Sequence, residues 1–394
     1  MEWASAASDK ENLEESLTQC CRIIHDSLGM HDPDLVAIFV SSHHSDMYDV
    51  IPSKIAEQLH SKHIIGCSAG GVIGAGVEIE NQPGISMIAG ILPGVELQSF
   101  HLLEEQMPDM DAGPEQWESL VANDPHDDPQ FILLTDPFTI RSDELIRGLD
   151  YAFVGSTKIG GMASGGRAKG QNALFLDQGI FRSGAVGLGL KGDILINPVV
   201  AQGCRPVGSP LRVTKSFENV VLELDGYPTL DVLKSIYQSL NERDQGLVRQ
   251  SLFLGIVMDE FQDFPVMGDF LIRNIVGLEP KAGGLAIGEI MREGQIVQFH
   301  LRDAQTSSDD ISAMLSQFRD RSVTQSRGAL LFSCLGRGSY LYSKPNHDVE
   351  VFRQIVGDIP LGGFFCNGEI GPVAGTTYLH GYTSAFGIFS SKHD

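Results

Sequence analysis

Residues Gly328–Gly371 read GALLFSCLGRGSYLYSKPNHDVEVFRQIVGDIPLGGFFCNGEIG. An apolar run ends in a Gly-Arg-Gly turn, a helical segment follows and stops at Gly357, and a second apolar run ends in Cys-Asn-Gly-Glu. Short runs rich in branched and aromatic residues, bounded by glycine, read as buried strands. The order therefore predicts strand, loop, helix, strand, with the two strands side by side. Cys334, Arg337, Cys366 and Glu369 fall at the ends of those strands.

The same order occurs twice upstream. Leu35–Ser42 (LVAIFVSS) is an apolar run, Ile51, Ile55 and Leu59 mark a helix, and His63–Gly74 (HIIGCSAGGVIG) is a strand entering a glycine-rich turn. Ile85–Leu102 follows as two strands bent at Pro93-Gly94, a hairpin signal. Phe131–Phe138 (FILLTDPF) begins the second copy, with Ser142 as the expected N-cap and Asp143 and Glu144 in the first helical turn. Tyr151–Gly166 and an Ala173–Leu190 hairpin complete it. The third copy is Gly328–Gly371 with strand-like Thr376–Phe389. The predicted fold is mixed α/β: repeated strand-helix-strand-hairpin units, with packed β-sheets and helices on the outer faces. Glycines just past a strand end permit close approach of a neighbouring element or a ligand.

Leu13, Leu17, Cys20, Cys21, Ile24 and Leu28 predict an amphipathic first helix that stops at Gly29, with both cysteines as small core residues. Between copies two and three, strands are expected at Val220–Asp225, Ser251–Met258, Asp269–Val276 and Gly294–Asp303. Helices are expected after Thr229 and around Ile311–Phe318. A boundary is placed at the Pro/Gly-rich PVGSP near residue 210, which divides the chain into 1–34, 35–209 and 210–394.

The composition, 42% hydrophobic and 20% charged, fits a packed core. The net charge of −23 lacks the footprint for nucleic acid and opposes anionic membranes. Six cysteines with no C-x-x-C pair favour a reducing, cytoplasmic setting. No signal peptide and no membrane span is read.

Gly187–Gly192 (GLGLKG) matches G-x-G-x-x-G, but the residues beyond it read as a strand ending in proline, against a dinucleotide site. His43, His44, Asp46, His60 and His63 lack metal-site spacing, so no metal and no cofactor is expected. Cys67, Cys334 and Cys366 are thiols at strand ends, nucleophiles if a cation lowered their pKa and otherwise small packing residues. Arg302, Asp303, Arg337 and Glu369 are charges following apolar strands, where α/β proteins commonly bind ligands. An arginine fork holds a carboxylate and a carboxylate takes an ammonium, so together they fit a zwitterion. Internal ion pairs bracing the strands are the other explanation.

At these residues the chain resembles the FIST family of sensory proteins, which carry N-terminal and C-terminal FIST domains. GDFLIRNIVG, FHLRDA, LLFSCLGRG and GGFFCNGEIGP stand in the family's order, with His380 and Thr383 on the closing strand. IIGCSAGGVI, VGSTKIGG and AVGLGL carry the N-terminal likeness. The resemblance covers about residues 35–390, and no kinase, receiver, cyclase or F-box segment is read. It implies intracellular signalling through a small ligand, amino acids in particular, with a signalling protein as partner and no settled catalytic mechanism. The ligand-binding candidates are Arg302, Asp303, Cys334, Arg337, Asn367, Gly368 and Glu369, with Cys67 and Ser68 from the first copy. Arg302, Arg337 and Glu369 are expected to converge on one pocket lined by glycine-rich turns. The alternatives are a cysteine-dependent hydrolase or transferase using Cys334 or Cys366, and a protein-interaction scaffold.

Overall fold

A computed structural model describes residues 1–259, 262, 264–279 and 283–393. Its architecture is mixed α and β, with packed sheets and helices. Two compact units result: a larger one of residues 1–200, 312–379 and 383–394, and a smaller one of residues 201–311 and 380–382. The chain thus passes into the smaller unit nine residues before the boundary read at 210, and residues 312–379 return to the larger.

The larger unit opens with β1 (Glu2–Ser8), a strand absent from the expectations, and α1 (Leu13–Ser27). Copy one is β2 (Leu35–Ser41), α2 (Ile51–Leu59), β3 (His63–Ala69), a hairpin of β4 (Gly71–Gly74) and β5 (Val77–Glu80), then β6 (Ile85–Ile91) and β7 (Val95–Leu102). After α3 (Pro114–Val121), copy two is β8 (Gln130–Thr135), α4 (Ser142–Ala152), β9 (Lys158–Met162), a hairpin of β10 (Leu174–Leu176) and β11 (Gly179–Phe181), then β12 (Ala185–Gly192) and β13 (Leu195–Ala201).

The smaller unit holds β14 (Cys204–Phe217), β15 (Val220–Leu224), β16 (Tyr227–Pro228), α5 (Thr229–Ser239), α6 (Glu242–Val248), β17 (Leu252–Val257), β18 (Phe270–Glu279), β19 (Gly284–Ile287) and β20 (Ile296–Arg302). Helix α7 (Ala304–Arg321) follows. Copy three is β21 (Gly328–Cys334), α8 (Gly338–Tyr342), α9 (His347–Ile355), β22 (Leu361–Cys366), a hairpin of β23 (Glu369–Val373) and β24 (Thr376–His380), then β25 (Ser384–Ser390).

Each copy contributes one parallel pair, β2 with β3, β8 with β9 and β21 with β22. The closing strand returns antiparallel beside the first: β6 on β2, β12 on β8, β25 on β21. The short hairpins leave their own copies. The β4–β5 hairpin joins β22, β10–β11 joins β3, and β23–β24 joins β9. The sixth strand of each sheet is β1, β7 or β13. Three sheets of one plan are thus linked by a cyclic exchange of hairpins. Strands β6 and β7, expected as a hairpin about Pro93-Gly94, sit in different sheets.

Glycine marks the same register position in all three pairs. Gly66 faces Ile38, Gly160 faces Leu133 and Gly363 faces Leu331. A Cβ there would lie 2.0, 1.8 and 1.9 Å from the facing carbonyl oxygen. Period-two alternation buries both strand faces. Leu35, Ala37, Phe39, Ile132, Leu134, Leu330 and Phe332 share one core between the sheets. Val36, Ile38 and Val40 pack instead on Leu17, Ile24, Ile55 and Leu59 of α1 and α2, and Phe131 and Leu133 on Trp117, Leu145 and Leu149 of α3 and α4. Ser142 is the first residue of α4 and not its cap: Arg141 occupies the cap position, and the Ser142 hydroxyl donates to Thr135 Oγ1 at 2.8 Å.

In the smaller unit all ladders are antiparallel in the order β14-β20-β17-β18-β19-β15, and the far half of β14 pairs with β15 to close the circuit. One face, with Leu254, Ile256, Val297, Phe299 and Leu301, is covered by apolar residues of α5 and α6. The alternate face carries Cys204, Phe253, Phe270 and Ile272. By alternation, His300 and Arg302 of β20 share it.

Candidate functional site

Three glycine-rich turns of the larger unit bond to one another. The Gly70 N–H donates to Ser164 Oγ at 2.8 Å, and the Ser164 N–H to Ser68 O at 3.1 Å. Asn367 donates through its N–H to Met162 O at 3.2 Å and through Nδ2 to Ala163 O at 2.9 Å, while Gly368 O accepts the Met162 N–H at 2.8 Å. The Ser68 hydroxyl lies between Asn172 Oδ1 at 3.3 Å and the Ala173 N–H at 3.1 Å. Close approach explains two of the turn glycines: a Cβ at Gly165 would lie 2.8 Å from Ala69 O, and one at Gly70 2.5 Å from Leu335 Cδ2.

Glu369 repeats a task done elsewhere by hydroxyls. At the start of each closing strand one N–H needs an acceptor: Ser41 Oγ takes that of Gly84 at 2.9 Å, Thr139 Oγ1 that of Gly184 at 2.8 Å, and Glu369 Oε2 that of Thr383 at 3.0 Å. The other oxygen, Oε1, accepts the Cys366 thiol at 3.5 Å. Burial pushes the Glu369 carboxyl up to about 8, against the pull of the Thr383 N–H, Cys366 and Arg337. Burial likewise raises the Cys366 and Cys67 thiols, which removes the thiolate a nucleophile needs. Cys334 is 9% exposed and lies in register with Cys366.

Arg337 is fully buried, and its Nε and Nη2 reach Asp348 Oδ2 and Oδ1 at 2.9 and 3.2 Å. Nη2 also donates to the Tyr342 hydroxyl at 2.5 Å, and the Tyr342 ring stacks on His347 at 3.5 Å. Ser384 and Ser333 donate to Asp348 Oδ2 at 2.7 and 3.3 Å. Burial alone would raise the Asp348 carboxyl. The Arg337 charge, with hydrogen bonds from His347, Arg337 and Ser384, overcomes it and holds Asp348 well below the usual range. Behind this pair, Glu78 Oε1 accepts the N–H groups of Asp348 and Val349 at 3.0 and 3.2 Å, while its Oε2 has no partner among the described residues. Burial, then the charges of Asp348 and Glu80, push Glu78 up to about 8. Asp348, Tyr342, Glu78 and Glu80 were absent from the sequence candidates. An acid in a first helical turn reads as a dipole partner and VEIE as a solvent face, so neither announces a buried charge.

Arg302 and Asp303 belong to the smaller unit. Asp303 caps α7, its carboxylate accepting the Thr306 N–H at 3.0 Å and hydroxyl at 3.1 Å, with Arg243 at 3.2 Å and Arg205 at 3.6 Å. Arg302 is placed differently. It is 6% exposed, and its guanidinium lies 4.4 Å from the Tyr382 ring centre and 5.7 Å from that of Phe253. Its Nε and Nη1 have no hydrogen-bond partner among the described residues. Burial lowers the neighbouring His300 to about 4, so it stays neutral near pH 7. Its ring fits because Gly255 has no side chain: a Cβ there would lie 2.5 Å from His300 Cε1. Tyr382 is half-buried, holds φ of +66°, and bonds Asn274 through its hydroxyl. A bulky residue in the left-handed region is strained, and such strain concentrates at functional sites.

Among the described residues no group of three or more His, Cys, Asp and Glu is arranged to hold a metal ion, and no helix is long and apolar enough to cross a membrane. Residues 34–227 match the FIST N domain and residues 229–372 the FIST C domain. An uncharacterized protein of Mycobacterium tuberculosis is 35% identical over 91% of this chain and 91% of its own length. Another, from Mycobacterium bovis, is 34% identical over 92% of both. An F-box/LRR-repeat protein of Arabidopsis thaliana is 25% identical over 42% of this chain and 34% of its own length.

Proposed function

Because the chain belongs to the FIST family, whose domains are sensory domains of signal transduction, we propose that it binds a small carboxylate-bearing molecule, an amino acid first among them, at Arg302. The observation that carries this is a buried guanidinium with two nitrogens left without acceptors. A buried cation lacking hydrogen-bond partners is costly, and proteins ordinarily supply a carboxylate. Arg337 has Asp348; Arg302 has two aromatic rings. Rings over the guanidinium face hold its plane and leave its edge donors to an anion. Phe253 and Tyr382 add an apolar wall suited to the body of an amino acid.

Six cysteines, all free thiols, support a reducing, cytoplasmic setting. Burial raises the Cys366 and Cys67 thiols, which argues against either serving as a nucleophile. The test is thermal unfolding of wild type and Arg302→Gln across the amino acids and simple carboxylates. A ligand binding only the native state raises Tm with concentration. At least one carboxylate should stabilise wild type and leave Arg302→Gln unmoved. Equal effects on both proteins, or none on either, would overturn the reading.

A further inference from the structure

The larger unit holds an imbalance of charge that Arg302 does not touch. Glu78 and Glu80 stand two residues apart on one face of β5, and the Glu78 carboxylate accepts from the backbone of Asp348. Arg337 is taken up by Asp348, to which the His347 imidazole also bonds, so neither Glu78 nor Glu80 draws on it. Glu78 is 7% exposed and keeps one oxygen unpartnered among the described residues. Glu80 is half-buried, accepts the Ser339 N–H at 2.8 Å, and has no lysine or arginine partner among the described residues. Beside it opens a cleft of about 350 Å³ lined by Gly70, Gly71, Glu80, Leu335, Tyr340 and Phe365.

We infer that this cleft binds an organic cation, an ammonium group carried on an apolar body, with Glu80 as counter-ion. Cavity, unbalanced carboxylate and apolar wall each ask for one part of such a molecule. The ammonium takes the Glu80 carboxylate. Leu335 and the Tyr340 ring, 41% and 80% exposed, supply apolar and π surface for the body. The glycines keep the cleft open. A Cβ at Gly338, where φ is +58°, would lie 2.6 Å from both Glu80 oxygens, and one at Gly70 would lie 2.5 Å from Leu335 Cδ2. The site lies wholly in the larger unit and stands or falls independently of Arg302.

The full chain is titrated with benzylamine, tetramethylammonium and the neutral benzyl alcohol by calorimetry or amide NMR. Benzylamine should bind saturably with shifts confined to the cleft, benzyl alcohol should not, and Glu80→Gln should weaken the amine by roughly tenfold or more. Glutamine retains the acceptor for Ser339, so the fold is kept; Tyr340→Ala, at an exposed ring, provides a second variant expected to weaken binding. Failure of both cations to bind wild type, equal binding of amine and alcohol, or affinity unchanged in both variants would overturn the inference.

Discussion

The Asp348 carboxylate receives two hydrogen bonds from the Arg337 guanidinium, at 2.9 and 3.2 Å, and neither side chain meets solvent. The arginine that follows strand β21 is therefore a brace between that strand's loop and helix α9. Removing one partner of a buried pair leaves the other charge stranded, at a cost of about 3–5 kcal/mol. Arg337→Met and Asp348→Asn should each lower stability by that order in urea unfolding, and the double variant should lose less than their sum. Asp348 has a lowered folded pKa, so its contribution is present above the ordinary carboxylate range and declines as pH falls below it.

Glu369 and Glu78 carry the opposite sign. Each is raised from an ordinary 4.5 to about 8, so between those values the native state binds more protons than the unfolded chain. Their contribution is complete below about pH 4.5 and is lost as pH rises through 8. Stability should fall across this window. Glu369→Gln keeps an acceptor for the Thr383 N–H and should flatten the fall, gaining on wild type at pH 8 relative to pH 5. An unchanged slope in chemical denaturation would contradict the assignment.

The thiols give a kinetic prediction. Cys67 and Cys366 are fully buried with raised pKa values, and burial pushes Cys20 and Cys21 up to about 12. Labelling of these four by a disulfide reagent in native protein should be slow and should track local unfolding. Fast labelling of Cys366 near neutral pH would return the cysteine-enzyme alternative to consideration.

Glycines can be sorted by what a methyl group would meet. Gly363→Ala and Gly160→Ala would drive Cβ onto a facing carbonyl and should prevent the native ladder from forming. Gly246, inside α6 with nothing within 4 Å of a built Cβ, should gain up to about 1 kcal/mol on change to alanine. Thermal unfolding of the three variants reads the contrast.

The repeated unit was legible because its strands are continuous apolar runs and its glycines sit at fixed places after them. The exchange of hairpins was not, because β4 is only GVIG and nothing in four such residues names a partner strand. Strand β1 sends no such signal, since EWASAAS is rich in alanine and serine, which carry little strand preference. Arg302, Arg337 and Glu369 could be picked as charges after apolar strands. Which of them have partners depends on Asp348 and Thr383, 11 and 14 residues along the chain from Arg337 and Glu369, and spacing alone does not say which side chains meet. Arg337 and Glu369 each have partners in the larger unit, and Arg302 belongs to the smaller.

The central claim is that Arg302 is an anion receptor. It is tested most directly by the Nε–H resonance of Arg302 in protein labelled with ¹⁵N-arginine and titrated with amino acids. A carboxylate on the guanidinium should move that resonance saturably and slow its exchange with water, at the concentrations that raise Tm. A ligand that stabilises the protein while leaving the Arg302 resonance unmoved would contradict the claim.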